Sequence, residues 1–128
     1  LLIELQKELG ISLVFVAHDL AVVRQVSHRI MVMYLGKAVE IADRDSIYER
    51  PLHPYTQALI AAVPIPDPVI QRHSNHAMLA GDLPSPLNPP SGCAFRARCP
   101  RAQELCKAEA PALENAGKSL VACHFSNN

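Results

Sequence analysis

"GISLVFVAHDLAVVRQVSHRIMVMYLGKAVEIA", residues 10–42, decides the fold class of this chain. Its first part, "SLVFVA" (residues 12–17), is almost wholly apolar and rich in β-branched residues. That pattern predicts a strand buried on both faces, as in a parallel sheet covered by helices. "DLAVVRQVS" (residues 19–27) then reads as a helix with Asp19 at its N-cap. "RIMVMY" (residues 29–34) reads as a second buried strand. "LGK" makes a turn, and "AVEIA" (residues 38–42) alternates like a half-exposed strand paired antiparallel to it. Strand, helix, strand and hairpin together describe the closing part of an α/β sheet.

Upstream, Leu1, Leu2, Ile3, Leu5 and Leu9 recur at roughly helical spacing, and Gly10 suits a C-terminal cap. The chain begins without Met inside this helical pattern, so we expect a piece of a longer protein. Downstream, "DRDSIYERPLHPYTQALIAAVP" predicts two helices. One lies around residues 44–49 and stops at Pro51, and the other runs from Pro54 to Pro64. Tyr55 and Leu59 share a face of the second, which suits an amphipathic helix docked on a sheet edge, with His53 a surface or capping residue. The proline-rich stretch 65–92 excludes regular helix and reads as a connector, extended or polyproline-like in "LPSPLNPP". His73 and His76 fall in it and read as solvated loop. The expected organisation is therefore residues 1–64, a connector at 65–92, and a small, mostly irregular cysteine-rich extension at 93–128.

Composition narrows the function classes. The 128 residues carry 12 Lys and Arg against 12 Asp and Glu, with 5% aromatics and no Trp. A neutral chain with so few rings lacks the basic surface and stacking residues of a nucleic-acid binder. The first residues show no basic n-region or cleavage site, and no apolar run approaches the ~20 residues that span a bilayer.

Two places carry chemistry. His18 follows the apolar run and precedes a helix, the position beyond a strand's carboxyl end where α/β sheets bind ligands. An imidazole there can contact a phosphate. The second place is Cys93-x5-Cys99-x6-Cys106-x16-Cys123, which holds all four cysteines of the chain. Structural zinc usually takes a C-x₂₋₄-C knuckle, which neither short spacing supplies. A [4Fe–4S] cluster accepts thiolates from irregular loops at varied spacings. Gly92 permits a close backbone approach at Cys93. Arg96, Arg98 and Arg101 can offset the charge of a thiolate-ligated cluster. A small core of buried thiols is the structural alternative, and the clustering of all four cysteines in the last 36 residues argues for a shared site.

Taken together, "AHDL", "RIMVMYLGKAVEIA" and "PLHPYTQALIAAVP" resemble the C-terminal part of ATP-binding subunits of ABC transporters, in the oligopeptide/dipeptide importer branch. "SGCAFRARCPRAQELCKAEAPAL" with "VACHF" resembles the C-terminal extension of that branch. The resemblance implies that His18 contacts the γ-phosphate of ATP, with Mg²⁺ in the intact protein, and helps hold the attacking water or the transition-state charge. It also implies that Cys93, Cys99, Cys106 and Cys123 ligate a [4Fe–4S] cluster, zinc being the alternative; we expect the role to be structural, ahead of redox sensing. A cytoplasmic subunit keeps its thiols reduced, which argues against disulfides. The implied partners are a second ATPase subunit, membrane-spanning permease subunits and, indirectly, an extracytoplasmic peptide-binding protein. The implied location is peripheral, on the cytoplasmic face of the inner membrane.

The sequence contains no G-x-x-x-x-G-K-[ST] phosphate loop, no "LSGGQ"-like signature and no strand ending in an Asp–Glu pair. "GKS" (residues 117–119) lacks the preceding Gly and strand, and reads as coincidence. We therefore expect the 128 residues alone not to hydrolyse ATP. Two other readings stand beside this one: an iron–sulfur or zinc interaction module without ATPase activity, and the ATPase of a related metal importer.

Overall fold

The computed structural model describes residues 2–63, 84–85 and 87–126. Helices α1 (Leu2–Leu9) and α2 (Leu20–Val26) precede a hairpin of strands β1 (Arg29–Tyr34) and β2 (Lys37–Asp43). Helices α3 (Arg44–Glu49) and α4 (Pro54–Ala61) follow. The last part holds a 3₁₀ turn (Arg96–Arg98), helix α5 (Glu104–Ala108) and a second hairpin, β3 (Glu114–Ala116) and β4 (Ser119–Val121). One antiparallel sheet results, in the order β1-β2-β4-β3.

The first hairpin turns on Leu35 and Gly36, both at positive φ (47° and 75°). Positive φ at both central residues is what a two-residue type I′ turn demands, and its twist matches the strands it joins. Pairing runs from Tyr34 opposite Lys37 to Arg29 opposite Asp43, with a bulge between Val32 and Met33. Ile30, Val32 and Tyr34 of β1 point into the core, while Met31 and Met33 face outward and are exposed. The sequence predicts a strand buried throughout. The alternation arises because only one face of the sheet is covered among the described residues. The core behind that face gathers Ile30, Val32, Tyr34, Val39, Ala42, Ile47 and Phe95.

Residues 12–17 depart from the expected buried strand. The stretch is irregular, with Val14 and Val16 96% and 92% exposed, and α1 before it buries no residue. A strand needs a neighbour to take up its backbone groups, and none pairs with this stretch among the described residues. The expected parallel sheet is accordingly replaced by an antiparallel one. Helix α2 forms as the sequence predicts. The Asp19 carboxylate accepts from the backbone N–H groups of Ala21 and Val22 at 2.9 and 3.2 Å. It is tied to α3 through Tyr48, whose hydroxyl donates to the Leu20 carbonyl and whose ring lies under the Arg24 guanidinium.

The extension is less irregular than its sequence suggests. Strand β4 pairs with β2, setting Val121 opposite Glu40 and Ser119 opposite Ala42, so segments far apart in the chain share the sheet. The "GKS" stretch forms the tip of the second hairpin, with Gly117 at φ 72°. The predicted end of α4 at Pro64, most of the 65–92 connector, and His73 and His76 lie outside the described residues.

A candidate four-cysteine site

Local backbone geometry brings the cysteines together. Gly92 adopts φ 65°, and a Cβ there would stand 2.5 Å from the Cys106 carbonyl oxygen and 2.6 Å from that of Lys107. The bare backbone therefore lies directly on the last turn of α5, and the Cys93 N–H donates to the Cys106 carbonyl at 2.8 Å. A turn closed by Arg96 N–H to Cys93 O at 3.2 Å, followed by the 3₁₀ turn closed by Arg98 N–H to Phe95 O at 3.0 Å, reverses the chain toward Cys99. Cys123 arrives from elsewhere: the Ala122 N–H donates to Val39 O at 2.9 Å as β4 leaves β2. All four cysteines line one recess, together with His53, Pro54, Phe95, Arg96 and Arg101.

Phe95 anchors the recess to the core. It is 1% exposed and meets Tyr34 at 5.2 Å, Tyr55 at 5.4 Å and His53 at 5.6 Å between ring centroids. Burying such a ring contributes roughly 1.5–3 kcal/mol, and each well-oriented aromatic pair about 0.5–1.5 kcal/mol more. The "HPYT" stretch is thus a wall of the cysteine recess as well as the start of a helix. His53 caps α4, its Nδ1 accepting from Tyr55 N–H at 3.1 Å, while Pro54 fills the first helical position. The capping role expected of His53 holds, but the residue is 2% exposed and so is no surface group. Burial pulls its pKa down to about 4, which keeps the imidazole neutral.

Glu40, fully buried on β2, escaped the sequence reading. Its carboxylate accepts from the backbone N–H groups of Leu52 and His53 at 2.9 and 3.0 Å, which fixes the turn before α4. The signal was present: an acidic residue inside an apolar strand, followed by a proline-flanked turn whose amides no helix satisfies. Arg101 ties the far side, donating to Gln57 Oε1 at 3.0 Å while Gln57 donates to Pro51 O at 2.9 Å.

The cysteines are free thiols. Burial is the main cause that raises Cys93, and the backbone N–H of Phe95 counters it, while nearby Cys106 and Cys123 raise it further. Cys99 is likewise raised by burial, countered by the Arg101 N–H and raised again by the other three cysteines. Reactive cysteines have lowered pKa values, so this is not a nucleophile's setting. Burial thus holds Cys93 and Cys99 back from ionising while amide N–H groups are aimed at both, a setting that a cationic metal centre would relieve. Among the described residues, no three His, Cys, Asp or Glu side chains stand close enough together to hold one metal ion. Around a single zinc the sulfurs would be about 3.8 Å apart, given Zn–S near 2.3 Å and tetrahedral angles. In a four-iron cluster each thiolate binds a different iron, so the sulfurs stand farther apart. The four cysteines lining the recess fit such a cluster in the kind and number of donors.

His18 is not part of this recess. It is exposed at the bend before α2, and Asp19 serves as the helix cap.

The arrangement has counterparts among known proteins. The family model described as "Oligopeptide/dipeptide transporter, C-terminal region" matches residues 39–106, which include Glu40, the HPYT stretch, Cys93, Cys99 and Cys106. The chain belongs to this family. It is 55% identical over 123 residues to the oligopeptide transport ATP-binding protein OppF of Salmonella typhimurium, a match covering 96% of this chain and 37% of that protein. OppF of Haemophilus influenzae is 53% identical, with 96% and 37% covered. The putative oligopeptide transport ATP-binding protein YkfD of Bacillus subtilis is 49% identical, with 100% and 39% covered. As a member of the oligopeptide/dipeptide transporter family, the chain thus spans less than two fifths of the length of these curated relatives. No described helix is long and apolar enough to cross a membrane.

Proposed function

We propose that this chain is part of the ATP-hydrolysing subunit that powers peptide import by an ABC transporter. The observation that carries the reading is 55% identity, across 96% of the chain, to an oligopeptide transport ATP-binding protein. In this reading the subunit uses ATP with Mg²⁺, and His18 contacts the γ-phosphate by charge and position. It works as a pair of ATPase subunits on the cytoplasmic face of the membrane, against permease subunits served by an extracytoplasmic peptide-binding protein. The organisation into residues 1–64, 65–92 and 93–128 belongs to the same proposal, with the first and last segments sharing a sheet. The exposed apolar residues 12–17 are consistent with a stretch that packs against further parts of such a subunit.

Cys93, Cys99, Cys106 and Cys123 are proposed to hold a [4Fe–4S] cluster with a structural role, fastening the extension to β2 and α4. Their convergence on one recess with opposing arginines supports this. When bound, the cluster supplies the positive charge that four thiolates need. Chain purified without oxygen should be brown, with broad absorbance near 400 nm, and Cys99→Ala should bleach it. A colourless protein with one zinc per chain would refute the cluster. For the ATPase reading, the subunit containing this chain is reconstituted with its permease and binding protein. Peptide-stimulated phosphate release should fall by about 10²-fold or more in His18→Ala. Unchanged release would remove His18 from the reaction.

A further inference from the structure

His53 is held at several points. Its backbone N–H donates to Glu40 at 3.0 Å, its carbonyl accepts from Gln57 N–H at 3.0 Å, and its ring leans on Phe95. Its Nδ1 accepts the Tyr55 amide proton and so carries none of its own, which leaves the proton of the neutral ring on Nε2. The side chain is almost wholly buried and lines the recess that the four sulfurs line. Among the described residues, none accepts a hydrogen bond from Nε2–H. A thiol sulfur is a weak acceptor, whereas sulfur in a thiolate-ligated cluster carries negative charge and accepts well.

We propose that His53 is a positioning residue of the four-cysteine site, its Nε2–H donating to a sulfur of the bound cluster and raising the cluster's reduction potential. The proposal rests on the cluster reading above. It gives the histidine of "HPYT" two roles, since one ring nitrogen caps a helix and the other faces the cofactor. Hydrogen bonds to sulfur are among the levers by which proteins set such potentials.

His53→Asn separates the two roles, because an Asn side chain can still accept from the second helical amide while lacking the Nε2–H donor. The 128-residue chain and this variant are loaded anaerobically with iron and sulfide, and potentials are read by electron paramagnetic resonance titration. The expected result is a more negative potential in the variant, by about tenfold in the one-electron reduction equilibrium, or about 59 mV. A change of less than about 1.5-fold, about 10 mV, overturns the proposal. If the wild-type chain takes up no iron, it is the cluster reading that has failed, and the proposal falls with it. If the variant alone fails to load, wild-type protein labelled with ¹⁵N-histidine decides. A ¹⁵N coupling to the reduced cluster that survives His124→Gln supports the bond, and its absence overturns it.

Discussion

Replacing Gly92 with Ala tests whether backbone contact, rather than thiol chemistry, assembles the recess. The added Cβ meets only backbone: Cys106 O at 2.5 Å, Lys107 O at 2.6 Å and Lys107 C at 2.9 Å. No side chain can rotate aside, so the 91–93 segment must lift off α5 by at least about half an ångström. That movement stretches the 2.8 Å bond from Cys93 N–H to Cys106 O, which contributes about 1 kcal/mol. Overpacking of this kind costs roughly 1–3 kcal/mol, and left-handed backbone costs an L residue roughly 1–2 kcal/mol. The reduced entropy of the unfolded chain returns about 0.4–1 kcal/mol. The net expectation is a loss of roughly 2–5 kcal/mol, a large part of the 5–15 kcal/mol typical of a domain. Urea titration followed by circular dichroism measures it, because the chain has no Trp. Gly36→Ala is the internal control: it also sits at positive φ (75°) but has nothing within 4 Å of its Cβ, so it isolates the backbone term. If the two variants lose the same stability, the contact between Gly92 and α5 does not hold the site together.

Two further perturbations probe the wall that Glu40 and His53 build. Glu40→Ala strands two backbone N–H groups beside a cavity, and should cost roughly 2–5 kcal/mol in the same titration; a loss below about 1 kcal/mol would mean the Leu52–His53 turn finds other acceptors. His53 has a folded pKa of about 4 against 6.5 unfolded, because burial disfavours its charged form. The unfolded chain therefore binds the proton first, so stability of the metal-free chain should fall as pH drops from about 6.5 to about 4, by about 3 kcal/mol. His53→Asn should flatten that part of the profile, and an unchanged slope would assign it to other groups.

Much of the local structure is legible in residue order. Asp19 announces α2, Leu35 and Gly36 close the first hairpin, Pro54 starts α4, and Gly92 signals a close backbone approach before any contact is seen. Each depends on a preference that acts within a few residues, through caps, fixed φ or a missing Cβ. The spacing of the cysteines likewise points to one shared site, although no regular knuckle is present. Residues 12–17 show the limit of such reading. Their composition suits a buried strand, yet a strand exists only where another strand takes its hydrogen bonds.

What the tertiary structure alone decides is which distant residues meet. Nothing in "SLVAC" says that it will add a strand beside "AVEIA", and that pairing is what carries Cys123 to the other three cysteines. Nothing in "HPYT" says that its histidine will cap a helix through one nitrogen and also line a recess of sulfurs. Local preferences fix the elements because their partners lie a few bonds away. The site depends on contacts between segments some eighty residues apart, which only the packed core around Phe95 brings into register.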